Sequence, residues 1–140
     1  MSSLDVAEVR RRFAVARVAV LGTIGQDAAP HLVPVAFAVH GDVIYSAVDD
    51  KPKRTRALRR LRNVRENPRV ALLVEHYEEE WEALWWVRAD GHARVLDAGD
   101  PVAHEAVMAL RERYPQQSGA GEVLAVDVER WTGWAARPEA

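Results

Sequence analysis

The stretch His31–Val48, HLVPVAFAVHGDVIYSAV, decides the architecture. It holds two apolar runs parted by His40-Gly41-Asp42, a turn signal in which glycine supplies the positive φ of a tight reversal. Both runs are too short for a helix of ordinary length and rich in β-branched residues. They read as two antiparallel strands, His31–Val39 and Val43–Val48. Pro34 sits inside the first. A proline cannot donate to a strand ladder, so that strand belongs at a sheet edge or a bulge.

Working outward, Val15–Ile24 reads as a strand ending in the turn Gly25-Gln26-Asp27. Arg69–Glu75, Leu84–Leu96 and Val123–Trp131 supply three more, and Leu84–Leu96 is long enough to bend. Ser2-Ser3-Leu4-Asp5 resembles a capping box, opening a helix with Leu4, Val6, Val9 and Phe13 at helical spacing. A second helix begins near Thr55, with Ala57, Leu58, Leu61 and Val64 as its stripe, and Asn67-Pro68 ends it. Asp100-Pro101 is an N-cap with proline at the first helical position; the stripe behind it is Val102, Ala106, Met108, Ala109 and Leu110. Six strands with few, short helices predict an α+β, mainly β, barrel in one domain spanning residues 1–140, not a βαβ repeat.

The totals exclude several classes. The 140 residues contain no cysteine, so disulfides, thiolate metal sites and thiol catalysis are ruled out. No apolar run approaches the roughly 20 residues that span a bilayer. Ala14–Leu21 is short, interrupted by Arg17 and unlike a signal peptide, so a cytoplasmic protein is expected. None of the five histidines is four residues from another, and there is no zinc motif, so no metal is expected. Nucleophile elbow, P-loop and dinucleotide fingerprint are likewise absent. Chemistry in this chain falls to a bound cofactor.

Charge is unevenly placed. Residues 51–65, KPKRTRALRRLRNVR, hold both lysines of the chain, eight basic residues and no acid. The remaining residues carry 11 cations against 21 acids. A local positive cluster on an acidic body suits a compact anion better than a nucleic acid. Lys51, Lys53, Arg54 and Arg56 stand where the second helix begins, beside the positive end of its dipole. Cations there are costly unless an anion compensates; a phosphate held by backbone donors, the Thr55 hydroxyl and these side chains would do so. The alternative is a solvated basic face balanced by Asp49, Asp50 or Glu78–Glu80. Arg59, Arg60, Arg62 and Arg65 fit mostly that plainer role. Trp85 and Trp86, adjacent on one strand, must point to opposite faces. One packs inside; the other covers a ligand or a subunit interface.

A Pro-His-Leu-Val-Pro-Val strand (Pro30–Val35), a Gly-Asp hairpin, Lys-Pro-Lys-Arg-Thr (Lys51–Thr55), a leucine-striped helix, Asn-Pro-Arg-Val (Asn67–Val70) and the Trp85–Gly91 strand occur in that order. In this order they resemble the pyridoxamine 5′-phosphate oxidase-like split β-barrel family, and within it the branch using the deazaflavin coenzyme F420. The resemblance implies a homodimer with two cofactor sites at the subunit interface, acting on a small molecule. It places the cofactor phosphate at Lys51, Lys53, Arg54 and Thr55, with Ser46 close by. It lays the ring against His31, Val33, Pro34 and Val35, and closes the site with Trp85 or Trp86 of the partner subunit. Cations at Arg56 or Arg59 would suit the lactyl-glutamyl tail of F420; FMN is the alternative cofactor. The implied activity is hydride transfer between the reduced deazaflavin and an unsaturated acceptor, with no catalytic acid or base identified. A non-catalytic cofactor-binding protein is the reading from a different class.

Overall fold

The computed structural model describes residues 2–47, 54–97, 99–116 and 122–137, with 54–58 as backbone. Its strands are β1 (Ser2–Ser3), β2 (Ala19–Ile24), β3 (Pro30–Val35), β4 (Ala38–His40), β5 (Val43–Ala47), β6 (Arg69–His76), β7 (Trp85–Leu96) and β8 (Val123–Ala135). Its helices are α1 (Val6–Val15), α2 (Arg54–Glu66) and α3 (Pro101–Arg113). All pairings are antiparallel, in the order β3-β2-β6-β7-β8-β5-β4, with β1 added to β8. The outermost strands, β3 and β4, are consecutive in the chain and separated only by Ala36-Phe37. Joining the first strand of the path to the last curls the sheet into a barrel that is split between them. The mainly β, split-barrel expectation holds.

The run expected as one strand, His31–Val39, is therefore two. Its break has a visible cause. Ser46 Oγ donates to the Ala36 carbonyl at 3.0 Å, and Phe37 turns into the core, edge-on to Phe13 at 5.8 Å. Counting that break and β1, the six expected strands become eight.

The barrel interior is one apolar cluster, into which α1 sends Val9 and Phe13 and α2 sends Leu61 and Val64. A second cluster lies outside the barrel, where Ala103, Ala106 and Leu110 of α3 cover Ala38, Tyr45, Leu96, Val123 and Ala125. Thus α3 roofs only half of the outer sheet face. Near the end of α3, Arg113 donates to the carbonyls of Phe37 and Ala16, tying the helix to the barrel's bend and to the exit of α1.

Two local expectations are corrected. Asp5, not a serine, caps α1 by accepting from the Glu8 N–H at 2.8 Å, while Ser2-Ser3 pair with β8. In α3 the Asp100 cap is as expected, but Met108 is 55% exposed. It sits two residues beyond Ala106, about 200° around the helix, so it cannot share the buried stripe.

Gly91 marks the bulge between β7 and β8, where Asp90 pairs with Arg130 but Gly91 pairs with Val128. A Cβ there would lie 2.2 Å from the Asp127 carbonyl oxygen. Gly91→Ala should lower the unfolding free energy by about 1–3 kcal/mol or more, read as a reduced urea midpoint; an unchanged midpoint would contradict this packing. On α1, Glu8 bonds Arg11 and Arg12, and those bonds hold its carboxyl at about 2, below the ordinary 4.5. A depressed carboxyl stabilises the fold above pH 4.5 and loses that contribution as pH falls towards 2. Glu8→Gln should therefore flatten the acid limb of stability in that window; a limb as steep as the parent's would refute the assignment.

Candidate functional site

Along β2, Ala19, Leu21 and Thr23 face inward. Thr23 is a polar residue in an apolar row, and its hydroxyl accepts a 3.0 Å hydrogen bond from Asn63 Nδ2 of α2. Both residues are buried. With Leu61 and Val64 this bond fastens α2 over the end of the barrel where β2 finishes. The chain leaves α1 at the opposite end, where β2 begins.

In the β2–β3 register, Thr23 stands opposite His31. His31 therefore lies on the inner face, on the side where α2 docks. Arg59 and Arg60 precede Asn63 by one helical turn, so they project near the same place. Burial and then the fields of Arg59 and Arg60 push the His31 pKa below its ordinary 6.5. The imidazole is consequently mostly uncharged at neutral pH. Burial also lowers the Arg60 pKa. His31 Nδ1 and Arg60 Nε are both buried, with no hydrogen-bond partner among the described residues. These two unsatisfied atoms mark the candidate site.

The other expected residues distribute as follows. His31, Val33 and Val35 share the inner face of β3; Val35 is in the core and Val33 packs against it. Pro34 faces the other way and is exposed. The four cannot meet a ring through one row of side chains, although the backbone edge remains available to all. Among the described strands β3 pairs only with β2, so the edge position inferred from Pro34 holds. Ser46 is buried and commits its proton to Ala36. Lys51 and Lys53 lie outside the described residues, and Arg54 and Thr55 begin α2.

Trp85 and Trp86 do point to opposite faces. Trp85 packs against the core, stacked on His76 at 5.6 Å with Arg12 above it at 4.9 Å. Trp86 faces outward beside Arg88, opposite Trp134. Neither is near His31. Gly22 pairs with Ala71 and Ala71 with Asp90, so the His31 end of the sheet is level with Asp90, about 17 Å along β7 from Trp85.

The outer face of β2, β3, β6 and β7 is not covered by α3. It carries a groove of ≈ 580 Å³ lined in part by Gly22, Ile24, Leu32, Arg69, Arg88 and Asp90. Leu32 is 69% exposed beside it. Arg88 and Asp90 pair at 3.0 Å, and His92 pairs with Glu129.

Sequence reasoning missed Arg60, Thr23 and Asn63 as members of the site. One signal was present: Asn63 lies between Leu61 and Val64 of the apolar stripe, where a polar residue needs a buried partner.

The chain belongs to the pyridoxamine 5′-phosphate oxidase family, whose model matches residues 6–135. Solved structures share the fold. A conserved hypothetical protein, Rv2991, from Mycobacterium tuberculosis superposes with a TM-score of 0.73 at 23% identity, covering 97% of this chain and 88% of that one. A FAD-binding protein from Mesorhizobium loti gives 0.70 at 19% identity, with 94% and 93% covered. The FAD-binding protein of Mycobacterium smegmatis gives 0.65 at 18%, with 95% of each chain covered. No curated protein sequence matches the chain significantly.

Removing one partner of the Thr23–Asn63 bond strands the other. Asn63→Ala should cost about 1–3 kcal/mol in urea unfolding, and the double replacement Thr23→Val with Asn63→Leu should cost less than the sum of Thr23→Val and Asn63→Leu made singly. Additive losses would show that the two side chains do not act as a pair.

Proposed function

We propose that the protein is an oxidoreductase using the deazaflavin coenzyme F420, working in the cytoplasm as a homodimer with its cofactor at the subunit interface. When bound, the deazaflavin exchanges a hydride with an unsaturated small organic acceptor. The chain's part is to bind, orient and shield. The observation that carries this reading is the meeting of the open edge of β3 with the cationic flank of α2, where two buried nitrogens lack partners among the described residues. An edge strand offers backbone N–H and C=O groups to a planar heterocycle. Lys51, Lys53, Arg54 and Thr55, on the approach to α2, are the proposed phosphate grip, and Arg59 extends it towards a longer anionic tail.

Distance and cover support the proposed dimer. Trp86, which faces outward, is too far from His31 to close the site of its own chain and is proposed to cover the partner's. The second copy is proposed to sit on the outer face that α3 leaves bare, over Leu32 and Leu73, which is 37% exposed. His31, uncharged at neutral pH, contributes a hydrogen bond rather than a charge. No side chain is assigned as catalytic acid or base.

An FMN-dependent enzyme, or a flavin-binding protein without turnover, is the second reading. It is favoured by the two similar structures named as FAD-binding proteins. Titration with F420 and FMN, followed by fluorescence, separates the two. F420 should bind more tightly, and its reduced form should be oxidised by an enone or quinone in a screen. Tighter FMN binding would overturn the cofactor assignment, binding without oxidation would favour the carrier, and binding of neither would overturn both. In sedimentation the parent should run as a dimer and Leu32→Glu as a monomer with weakened cofactor affinity; an unaltered mass would refute the interface.

A further inference from the structure

We infer that His40, His104 and Met108 form a binding site for a soft monovalent metal ion, copper(I), at the edge where α3 lies over β4. The site is independent of the function proposed above. It belongs to the half of the outer sheet face that α3 covers, not to the bare half.

The fold brings the three side chains together from two elements. Ala38 of β4 and Tyr45 of β5 are register partners, and α3 covers both. Side chains alternate along a strand, so His40, two residues beyond Ala38, projects on the same face at the rim of that cover. On α3, His104 and Met108 stand four residues apart and share one face of the helix, with Cβ atoms about 5–6 Å apart. All three line one cavity of ≈ 290 Å³, together with Tyr45, Glu105 and Ala109. Tyr45 is buried, whereas His40, His104 and Met108 are exposed, so an ion in solvent reaches them.

None of the three is used by the packing. Met108 is 55% exposed and stands outside the apolar cluster that holds α3 to the sheet. Neither His40 nor His104 has a hydrogen bond or ion pair among the described residues, while His76 and His92 pair with Glu78 and Glu129.

The donor types select the ion. Two imidazole nitrogens and a thioether sulfur suit copper(I), whereas magnesium and calcium take oxygen ligands. Among the described residues, no three His, Asp or Glu side chains converge so as to hold a metal. Zinc therefore lacks a third donor of the kinds it favours. The missing zinc motif does not bear on this set, because its third ligand is a thioether. The helix prearranges His104 and Met108 as a chelate, and His40 closes it from the strand. Glu105, on the same cavity, adds a negative field for a cation.

The chain has two methionines, Met1 and Met108, so methyl-labelled methionine in the full chain gives one NMR signal for the site and one control. Silver(I), a redox-inert stand-in, is titrated in chloride-free buffer; copper(I) affinity is measured anaerobically by competition with bicinchoninate. Silver should move the Met108 methyl and the His40 and His104 rings together, before Met1 responds and without moving His76 or His92. Met108→Leu keeps the size of the side chain but not its sulfur. It should weaken copper(I) binding about tenfold or more, with a parent-like urea midpoint because the position is exposed. His40→Gln and His104→Gln should each weaken it by a similar factor. Zinc(II) should bind the parent more weakly than copper(I) does. The inference is overturned if the Met108 methyl moves no earlier than that of Met1, if Met108→Leu binds copper(I) as the parent does, or if zinc(II) binds as tightly as copper(I).

Discussion

A single buried hydrogen bond, Asn63 Nδ2 to Thr23 Oγ1 at 3.0 Å, sets the orientation on which the candidate site depends. Apolar contacts alone would let α2 slide or roll over the barrel mouth, because Leu61 and Val64 are non-directional anchors. The amide–hydroxyl pair removes that freedom. It cannot be broken in place without stranding a buried polar atom, so it selects one rotational setting of the helix. That setting brings Arg59 and Arg60 to His31 instead of leaving the whole basic run in water.

The barrel's split supplies the other half of the arrangement. Because β3 and β4 are halves of one bent run, with Ser46 Oγ and Arg113 bonding to the carbonyls at the bend, β3 cannot acquire a second neighbour from its own chain within the observed strand order. Its free edge is thus a permanent feature of the topology. So is the bare outer face, since α3 is committed to the opposite half through Ala103, Ala106 and Leu110. An open edge, a cationic helix flank and an uncovered sheet face converge on one region. Cofactor binding and pairing of subunits are proposed to meet there.

Much of the fold was legible in the sequence because its signals were local. Gly41-Asp42, Gly25-Gln26-Asp27, Asn67-Pro68 and Asp100-Pro101 each specify backbone geometry over a few residues, and the elements between them fall close to where expected. Pro34 likewise announced an edge strand correctly. The failures arose where a distant partner decides. Ser2-Ser3 become a strand through pairing with Trp134 and Ala135, and His31–Val39 breaks because Ser46 and Phe13 engage Ala36 and Phe37. Met108 was misplaced by reading apolarity without its angle around the helix. The site was legible only in outline. A dense basic run pointed to an anion, but which arginine turns inward depends on the docking of α2 against a strand forty residues earlier in the chain. Arg60 consequently looked like part of a wet face.

Positive charge at the β3–α2 junction is proposed to hold an anionic group of the ligand while the edge of β3 holds its ring. That arrangement is tested most directly by comparing the affinity for F420 with that for its phosphate-free deazaflavin chromophore, at one ionic strength. If the cations of α2 grip the phosphate, removing it should weaken binding by roughly two orders of magnitude or more, and the difference should shrink as salt is raised. Equal affinities, or a difference indifferent to salt, would contradict that claim.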